Sequence, residues 1–493
     1  MAAFVVSLAV YIPSLASGVA TGDTAEYQTV PYILGITHPT GIPAYVLSGW
    51  FFSHAFAAGT VVWRLNAFAA LCSALTASGV ALLALALEAN PLAAFAAAAT
   101  FALGSSVWHN AVVASPHALA GLFIVGALLG SVAFARHGRV WMLLAACACA
   151  GLGLATHPET IWVLPALPVA AAWQRQAVSW RVLIFGTALV FAPLVLYAYL
   201  PIRSAIVETQ GLDPAAGPPL NGFGGGIDWN FNDPRTKNGF LDEVLGRHEH
   251  AGGAVGRTFD PRLFPRAAVL WLQQSRDEFV PVFLVFVALG IIALGMRDRR
   301  SLSILFAGTA GGIVFAFSYR LDSMLPRYFL PSFAAAAALS AAASRLELPR
   351  VRPAHVAAIV SCALILIAGS TWWNNRGLVA ELRYSDGQAT IDAVRNEIPD
   401  GAIIIAGWYD ALRLGYGAAV EHELGTRIIV TGFPIDYLDR LPDLARSRRI
   451  FVYANWGYAS SVSAIPPNWV HERPSSQTLV HIYEIIPSGV GAN

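Results

Sequence analysis

From the N-terminus to about residue 375, long apolar stretches alternate with shorter polar segments. An apolar run of about 20 residues is long enough to cross a bilayer as a helix. By this criterion about eleven spans are predicted. They are Ala3–Ala20, Val61–Leu87, Pro91–Val107, His117–Ala135, Val140–Ala155, Pro158–Trp173, Val182–Leu200, Phe279–Met296, Leu302–Phe317, Leu325–Ala343 and His355–Trp372. The pattern predicts a polytopic α-helical membrane protein.

Beyond residue 375 the pattern changes to polar helices that alternate with short apolar runs. An amphipathic helix is predicted over Ser385–Ile398, because Ile391, Val394 and Ile398 fall on one face. The other predicted elements are strands Ala402–Ala406, Arg427–Val430, Ile450–Tyr453 and Thr478–Ile485 and a helix at Ala411–Glu423. We therefore expect a membrane domain over 1–375, with external loops 21–60 and 201–278, and a small soluble α/β domain over 376–493.

Composition agrees with a membrane location. The 493 residues are 56% hydrophobic and only 12% charged, which is far more apolar than a soluble globular protein. A net charge of +1 without a basic cluster argues against a nucleic-acid partner. The four cysteines lie inside apolar segments, where packing is their expected role.

The arginines of short loops predict the topology, because cytoplasmic loops carry an excess of basic residues. With a cytoplasmic N-terminus, one side receives Arg136, Arg139, Arg175, Arg181, Arg297, Arg299, Arg300, Arg345, Arg350 and Arg352. The polar motifs then share the other side with the C-terminal region. Ala3–Ala20 lacks a basic flank and is expected to be a retained helix, not a cleaved signal. Lys237 is the only lysine, which favours a high-GC bacterium as the source. In a bacterium, the predicted topology places the polar motifs on the outer face of the inner membrane.

The polar loop after the first predicted span carries two carboxylates, Asp23 and Glu26, and soon afterwards His38 and Arg64. Ionisable groups at a membrane surface are costly unless they face protein or a wet cavity, so they mark a candidate site. The spacing Asp23-x-x-Glu26 also fits a capping box, in which side chains satisfy free N–H groups at a helix start. Both interpretations are compatible with the spacing.

The ordered run Gly-Asp-Thr-x-Glu, Leu-Gly-Ile-x-His-Pro-x-Gly-x-Pro and Arg-Leu-Asn resembles a multi-pass membrane family formerly described as a domain of unknown function. Its animal member is an endoplasmic-reticulum protein O-mannosyltransferase that acts on plexin-type receptor domains. The family is similar to GT-C glycosyltransferases, which take a sugar from a polyprenyl or dolichyl phosphate. A second block, Leu-Pro-Ile-Arg-Ser from Leu200 and Asn-x-Asn-Asp-Pro-Arg-Thr from Asn230, extends the resemblance to about Tyr328. The residues that match the first block are Gly22, Asp23, Thr24, Glu26, Leu34, Gly35, Ile36, His38, Pro39, Gly41, Pro43, Arg64 and Asn66.

The resemblance implies an inverting transferase that moves a sugar, mannose by analogy, from a polyprenyl-phosphate donor to an acceptor hydroxyl of a protein or a glycan on the non-cytoplasmic face. It points to Asp23 as the base, with Glu26 as its substitute or orienting partner. Arg203, Arg64 and Arg327, at the external ends of predicted spans, are candidates for the donor phosphate. Interfacial snorkelling is the alternative for each arginine.

His38, His157, Tyr27 and Tyr328 are candidate substrate contacts. For His38 a structural place in the Pro/Gly turn is equally open, and His157, in His157-Pro158-Glu159, could instead be a helix-start cap. We expect no cofactor and no obligatory metal, since arginine alone can hold a phosphate-linked monosaccharide. The pair His248-x-His250 is interpreted as ordinary loop histidines, because no third metal ligand is apparent.

Two other functions remain open at this point. A lipid or solute transporter predicts charges near the bilayer middle on several helices, whereas here the charges lie at helix ends. A non-catalytic scaffold that recruits partners leaves the first-loop motif unexplained. The strand end at Ala406–Asp410 is expected to contact an acceptor or to pack on the membrane domain, not to run chemistry.

Overall fold

The computed structural model describes residues 1–217, 220, 229–247, 261–319, 325–382, 387–455, 459–477 and 480–489. By compactness the chain forms two units. The first comprises Met1–Leu15, Asn66–Tyr197 and Arg247–Arg383. The second comprises Ala16–Leu65, Ala198–Gly246 and Tyr384–Asn493.

The α-helices are numbered here in chain order over the described residues. Helices α1 to α11 are Ala2–Tyr11, Gly22–Ile33, Pro43–Ala55, Val61–Ala86, Pro91–Ala102, Ser105–Val112, Pro116–His137, Val140–Thr156, Ala166–Trp173, Trp180–Phe191 and Tyr199–Gln210. Helices α12 to α22 are Lys237–Leu245, Phe264–Glu278, Phe283–Arg297, Arg299–Ala307, Ala310–Tyr319, Leu325–Tyr328, Leu330–Ala342, Pro353–Glu381, Gly387–Glu397, Trp408–Ala419 and Leu441–Ala445. Strands β1 to β5 are Ile403–Ala406, Ile428–Thr431, Ile450–Asn455, Val470–Arg473 and Val480–Ile485.

Several helices are long and apolar enough to cross a membrane. In the described part of the chain there are five, or six if the bent pair α5 and α6, which meet at 68°, is one span. The five are Val61–Ala86, Pro116–His137, Trp180–Gln210, Arg299–Phe317 and Pro353–Glu381. The chain is thus a multi-pass membrane protein, while the figure of about eleven spans stays a prediction.

Two predicted spans are interrupted where proline occurs, because proline lacks an N–H and its ring clashes with the preceding turn. The predicted span Ala3–Ala20 is α-helical only to Tyr11, and a 3₁₀ turn through Pro13 follows. The predicted span Pro158–Trp173 is a 3₁₀ turn followed by α9, with Pro165 between them. Both were expected to be continuous, since hydropathy alone does not register these breaks.

Small residues let the helices of the first unit approach closely. The residues of α18, most of them alanine, are buried along its whole length. Where α14 crosses α18, a Cβ added to Gly290 would lie 1.7 Å from the backbone oxygen of Leu339. Contacts of this kind replace the hydrophobic driving force that is missing between helices in lipid.

The second unit contains a five-stranded sheet with the order β2-β1-β3-β5-β4. Strand β1 pairs in parallel with β2 and β3, whereas β5 pairs antiparallel with β3 and β4. Four strands overlap the predicted ones. Strand β4 was not predicted because it lies at the edge and is polar and exposed, so it shows no apolar alternation.

Both predicted external loops contribute to the apolar cores beside this sheet. Ala25 of the first loop, together with Val19 at the end of the first predicted span, packs with Ile391 and Ile404. Leu220 of the long loop packs in a second cluster that includes Val452. The predicted division at residue 376 remains a prediction. By compactness, however, the C-terminal residues share a unit with parts of both loops.

We expect Gly290→Ala to destabilise the first unit by about 1–3 kcal/mol, because the added methyl group must push the two helix backbones apart. The matched control is Gly369→Ala in α19, where the new Cβ meets nothing within 4 Å. Thermal unfolding of both variants in detergent measures the difference. Equal midpoints for the two variants would contradict the proposed close packing.

Candidate active site

Helix α2 places Asp23 and Glu26 at the head of the first loop. It starts at Gly22, whose φ of +55° favours glycine, and a Cβ there would come within 2.7 Å of the Tyr409 ring. Thr21 is the N-cap and makes no side-chain capping bond in the described structure. The capping box is therefore not formed, and the two carboxylates serve other contacts.

Glu26 is fully buried and bonds to His38 through both carboxylate oxygens. One oxygen accepts the backbone N–H of His38 at 2.6 Å, and the other pairs with its ring Nδ1. Because an unpaired buried carboxylate is very costly, this contact fixes the turn after α2 against the helix. The structural alternative for His38 is thus realised, although its side chain keeps 22% of its surface exposed.

Asp23 is half-buried in the first turn of α2 and accepts a hydrogen bond from a residue far along the chain. The donor is the indole Nε1 of Trp408, at 3.3 Å from Oδ1. Trp408 is the first residue of α21 and follows directly after β1. Strand β1 lies between its parallel neighbours β2 and β3, so its carboxyl end is a topological switch point of the sheet. Such switch points bind ligands in α/β sheets. Sequence reasoning noticed this strand end but did not assign it to the carboxylate.

Aromatic rings surround the two carboxylates. The His38 ring lies 5.9 Å from that of Tyr27 and 5.8 Å from that of Trp408. The ring of Phe231, from the second sequence block, lies edge-on to Trp408 at 6.0 Å. Flat ring faces of this kind can pack against the C–H surfaces of a sugar.

Arg203 lies at the opposite end of α2 from Asp23. Its Nη2 donates to the carbonyl of Ile33 at 3.0 Å, and the nearby Tyr199 hydroxyl donates to the carbonyls of Leu34 and Gly35. Ile33 and Asp23 are roughly 15 Å apart along the helix axis. Arg203 thus binds the carbonyl of Ile33 at the C-terminal end of α2, and its buried Nε has no hydrogen-bond partner among the described residues.

Arg64 is occupied by the backbone of its own loop. Its guanidinium donates to the carbonyls of Ser53, Ala57, Ala58 and Gly59. These bonds hold the segment between α3 and α4. They favour a structural role for Arg64 over the predicted phosphate contact.

The two halves of the second sequence block are joined by one carboxylate. Asp233 accepts from the hydroxyl of Ser204 at 2.8 Å and from Nε and Nη2 of Arg235 at 2.7 and 3.0 Å. Hydrogen bonds from Arg235 hold the pKa of the Asp233 carboxyl below its usual range, although partial burial acts the other way. The block therefore fixes the segment that carries Phe231 to α11.

The other predicted site residues lie in the first unit. His157 is close to His117 and Tyr328, with ring centroids 4.4 and 6.3 Å away, and Glu159 is bonded to His117. Arg327 is near enough for its charge to act on Glu159. His157, Arg327 and Tyr328 thus form one polar cluster, which sequence reasoning had not grouped. The pair His248-x-His250 lies outside the described residues.

The fold of the chain is that of GT-C membrane enzymes. Similar solved structures include apo ArnT from Cupriavidus metallidurans, with a TM-score of 0.58, 13% identity and coverage of 99% of this chain and 98% of that one. ArnT bound to undecaprenyl phosphate aligns with a TM-score of 0.56, 14% identity and the same coverage. An oligosaccharyltransferase from Archaeoglobus fulgidus, in complex with Zn and sulfate, aligns at 0.53 with 12% identity over 99% of this chain and 74% of that one.

The resemblance to the O-mannosyltransferase family is confirmed. Residues 23–180 match the family model for the N-terminal domain of protein O-mannosyl-transferase TMEM260. The mouse protein of that name is 24% identical over 363 residues, which are 69% of this chain and 48% of that protein. The chain thus spans about half the length of the curated relative it matches.

We expect the bonds of Asp233 to stabilise the second unit in a pH-dependent way. Because the folded pKa is lowered, this stability is present above the unfolded pKa of about 3.9 and is lost as the pH falls through the folded value. Asp233→Asn should cost up to about 1 kcal/mol at neutral pH, since the pair is partly exposed. The deficit should shrink near pH 3.

Thermal unfolding of wild type and Asp233→Asn at both pH values measures this deficit. Asp439→Asn, at an exposed position of the same unit, is the control. A deficit that is equal at both pH values would show that the charge of Asp233 is not its source.

Proposed function

We propose that the chain is a membrane glycosyltransferase that moves a sugar from a polyprenyl-phosphate donor to an acceptor hydroxyl on the non-cytoplasmic face. The observation that carries this proposal is the half-buried Asp23 carboxylate, oriented by Trp408 beside the Glu26–His38 pair. It stands in the motif that resembles the O-mannosyltransferase family, at the first residue matched by the family model. The GT-C fold is consistent with it.

Asp23 acts as the general base in this proposal. It takes the proton of the acceptor hydroxyl while that oxygen bonds to C1 of the sugar. The bond from C1 to the phosphate oxygen breaks, and polyprenyl phosphate leaves with the electron pair. Attack from the face opposite the leaving group inverts the configuration at C1.

Glu26 orients the site and does not remove the proton. Both of its oxygens face His38, and its side chain has no exposed surface, so it is poorly placed to meet an acceptor. The fixed imidazole of His38 keeps a partly exposed edge, through which it can contact the sugar. Tyr27 and Trp408 complete the wall around it.

Arginine supplies the charge that stabilises the leaving phosphate. Of the three candidates, Arg64 is engaged with backbone carbonyls, whereas Arg203 has a buried Nε that no described residue satisfies. Arg203 must leave the C-terminal end of α2 to meet a phosphate near Asp23, because the helix separates them by roughly 15 Å. Arg327, in the first unit, stays a proposed contact of the donor phosphate. His157 and Tyr328 of the same unit stay proposed substrate contacts.

Mannose is the proposed sugar, and a protein hydroxyl or a glycan is the proposed acceptor. The name of the mouse relative supports both, since that protein is an O-mannosyl-transferase. The ArnT structure bound to undecaprenyl phosphate supports a polyprenyl-phosphate donor. A bacterial inner membrane, with the site outside it, is the proposed location.

We expect Asp23→Asn to lower the turnover of polyprenyl-phosphate mannose by about 10²–10⁴-fold, the usual loss when a general base is removed. Loss of radiolabelled donor from protein in nanodiscs measures it. Asp439→Asn is the matched control, because it makes the same change at an exposed site of the second unit. Trp408→Phe, which removes the indole donor to Asp23 and keeps an aromatic ring, should cost less than Asp23→Asn.

Three outcomes would count against the proposed reaction. Equal turnover by Asp23→Asn and Asp439→Asn would remove Asp23 as the base. Turnover that falls with Arg64→Ala but not with Arg203→Ala or Arg327→Ala would reverse the phosphate assignment. Absence of both binding and turnover with every polyprenyl-phosphate sugar would favour a transporter or a scaffold.

We expect transfer to continue without added Mg²⁺ or Mn²⁺, because the leaving group is neutralised by arginine. The measurement compares donor turnover in a chelator with turnover after each ion is restored. Activity that vanishes in the chelator and returns with Mg²⁺ or Mn²⁺ would contradict this expectation. Unfolding, followed by gel filtration, is the control for loss of structure.

A further inference from the structure

Three potential metal ligands come together in the first unit from separate elements. His117 lies in the first turn of α7, and His157 follows the last residue of α8. Glu159 follows two residues later, in a 3₁₀ turn whose N-cap is His157. One ligand atom from each residue lies within 4.8 Å of the others.

The ligand atoms converge on one carboxylate oxygen. Nδ1 of His117 is 2.9 Å from Oε1 of Glu159, and Nδ1 of His157 is 3.7 Å from the same oxygen. Nδ1 of His157 also accepts a long bond of 3.3 Å from the backbone N–H of Glu159. That nitrogen therefore carries no proton, and an ion bound to it would replace this long bond, because the nitrogen has only one lone pair.

A hydrogen bond between His117 and Glu159 does not account for the whole group. The second carboxylate oxygen, Oε2, is buried and has no hydrogen-bond partner among the residues that the structure describes. The side chains of His117 and Glu159 are only 2% and 3% exposed. The charge of Arg327 acts on Glu159 but leaves Oε2 without a hydrogen bond among the described residues, so this buried oxygen still calls for a ligand or a donor.

Space for a further ligand adjoins the group. A cavity of about 10 Å³ borders Glu159 and Tyr328, and it is about the size that one water molecule needs. Two imidazoles, one carboxylate and a water match the His₂Glu donor set of zinc sites that keep one open position.

We propose that His117, His157 and Glu159 bind a divalent transition-metal ion, of the class of Zn²⁺, with a water in the remaining position. The ion joins the start of α7 to the turn after α8 and neutralises the buried carboxylate. Mg²⁺ and Ca²⁺ do not suit the site, because they prefer oxygen ligands. Bound in this way, His157 serves the ion instead of the substrate contact proposed for it above, and the transfer step itself still needs no added Mg²⁺ or Mn²⁺.

The test measures metal content and not activity. Full-length protein in detergent is passed over a chelating resin, and zinc per chain is measured by elemental mass spectrometry. We expect one Zn²⁺ per chain in the wild type and a loss of at least about tenfold in His117→Gln and Glu159→Gln. His355→Gln, which changes an exposed histidine of the same unit, should match the wild type.

Two further measurements distinguish loss of the metal from loss of the fold. Glu159→Gln is nearly isosteric, and its gel-filtration profile reports whether it is folded. Stripped wild-type protein titrated with Co²⁺ should develop the visible absorption of a four-coordinate ion, and Zn²⁺ should raise its unfolding temperature. Wild type without bound zinc and without the Co²⁺ band, or zinc content unchanged in both variants, would overturn the proposal.

Discussion

The buried contact between Glu26 and His38 is the constraint on which the candidate active site depends. A carboxylate with no exposed surface is tolerated only when its oxygens are fully bonded, and here one residue supplies both partners. The turn from Leu34 to Pro43 is thereby closed back onto α2. With that turn in place, the ring of His38 lies beside those of Tyr27 and Trp408, and the indole of Trp408 donates to Asp23. The buried Glu26–His38 contact thus helps to fix the surroundings of the proposed base.

The charged residues of the candidate site differ in what they bind. Glu26 and Arg64 are occupied within their own loop, and Arg203 binds the far end of the same helix. Asp23 differs from them because it is half-buried and accepts a long hydrogen bond from the indole of Trp408. Residue types that look interchangeable in the motif thus have different roles, according to what each touches.

The local features of the chain were predictable and the distant pairings were not. Apolar runs predicted the long helices, and the ordered motif predicted the neighbourhood of Asp23, Glu26 and His38, because both signals lie within short stretches. Trp408 and His117 escaped prediction, since their partners Asp23 and Glu159 are brought close only by tertiary packing. The spacing Asp23-x-x-Glu26 predicted a capping box equally well. The structure decides against it, because Thr21 is the N-cap and Glu26 is bonded to His38.

The shared core of the second unit has a consequence for biosynthesis. The indole that orients Asp23 lies 385 positions later in the chain, and Ala25 packs in the same cluster as Ile391 and Ile404. A ribosome delivers the first loop long before these partners exist, so the loop must wait, incompletely packed, while the intervening helices are inserted. The geometry around Asp23 is thus one of the last features to form during translation. An unfinished chain would contain Asp23 and Glu26 but not the indole that orients Asp23.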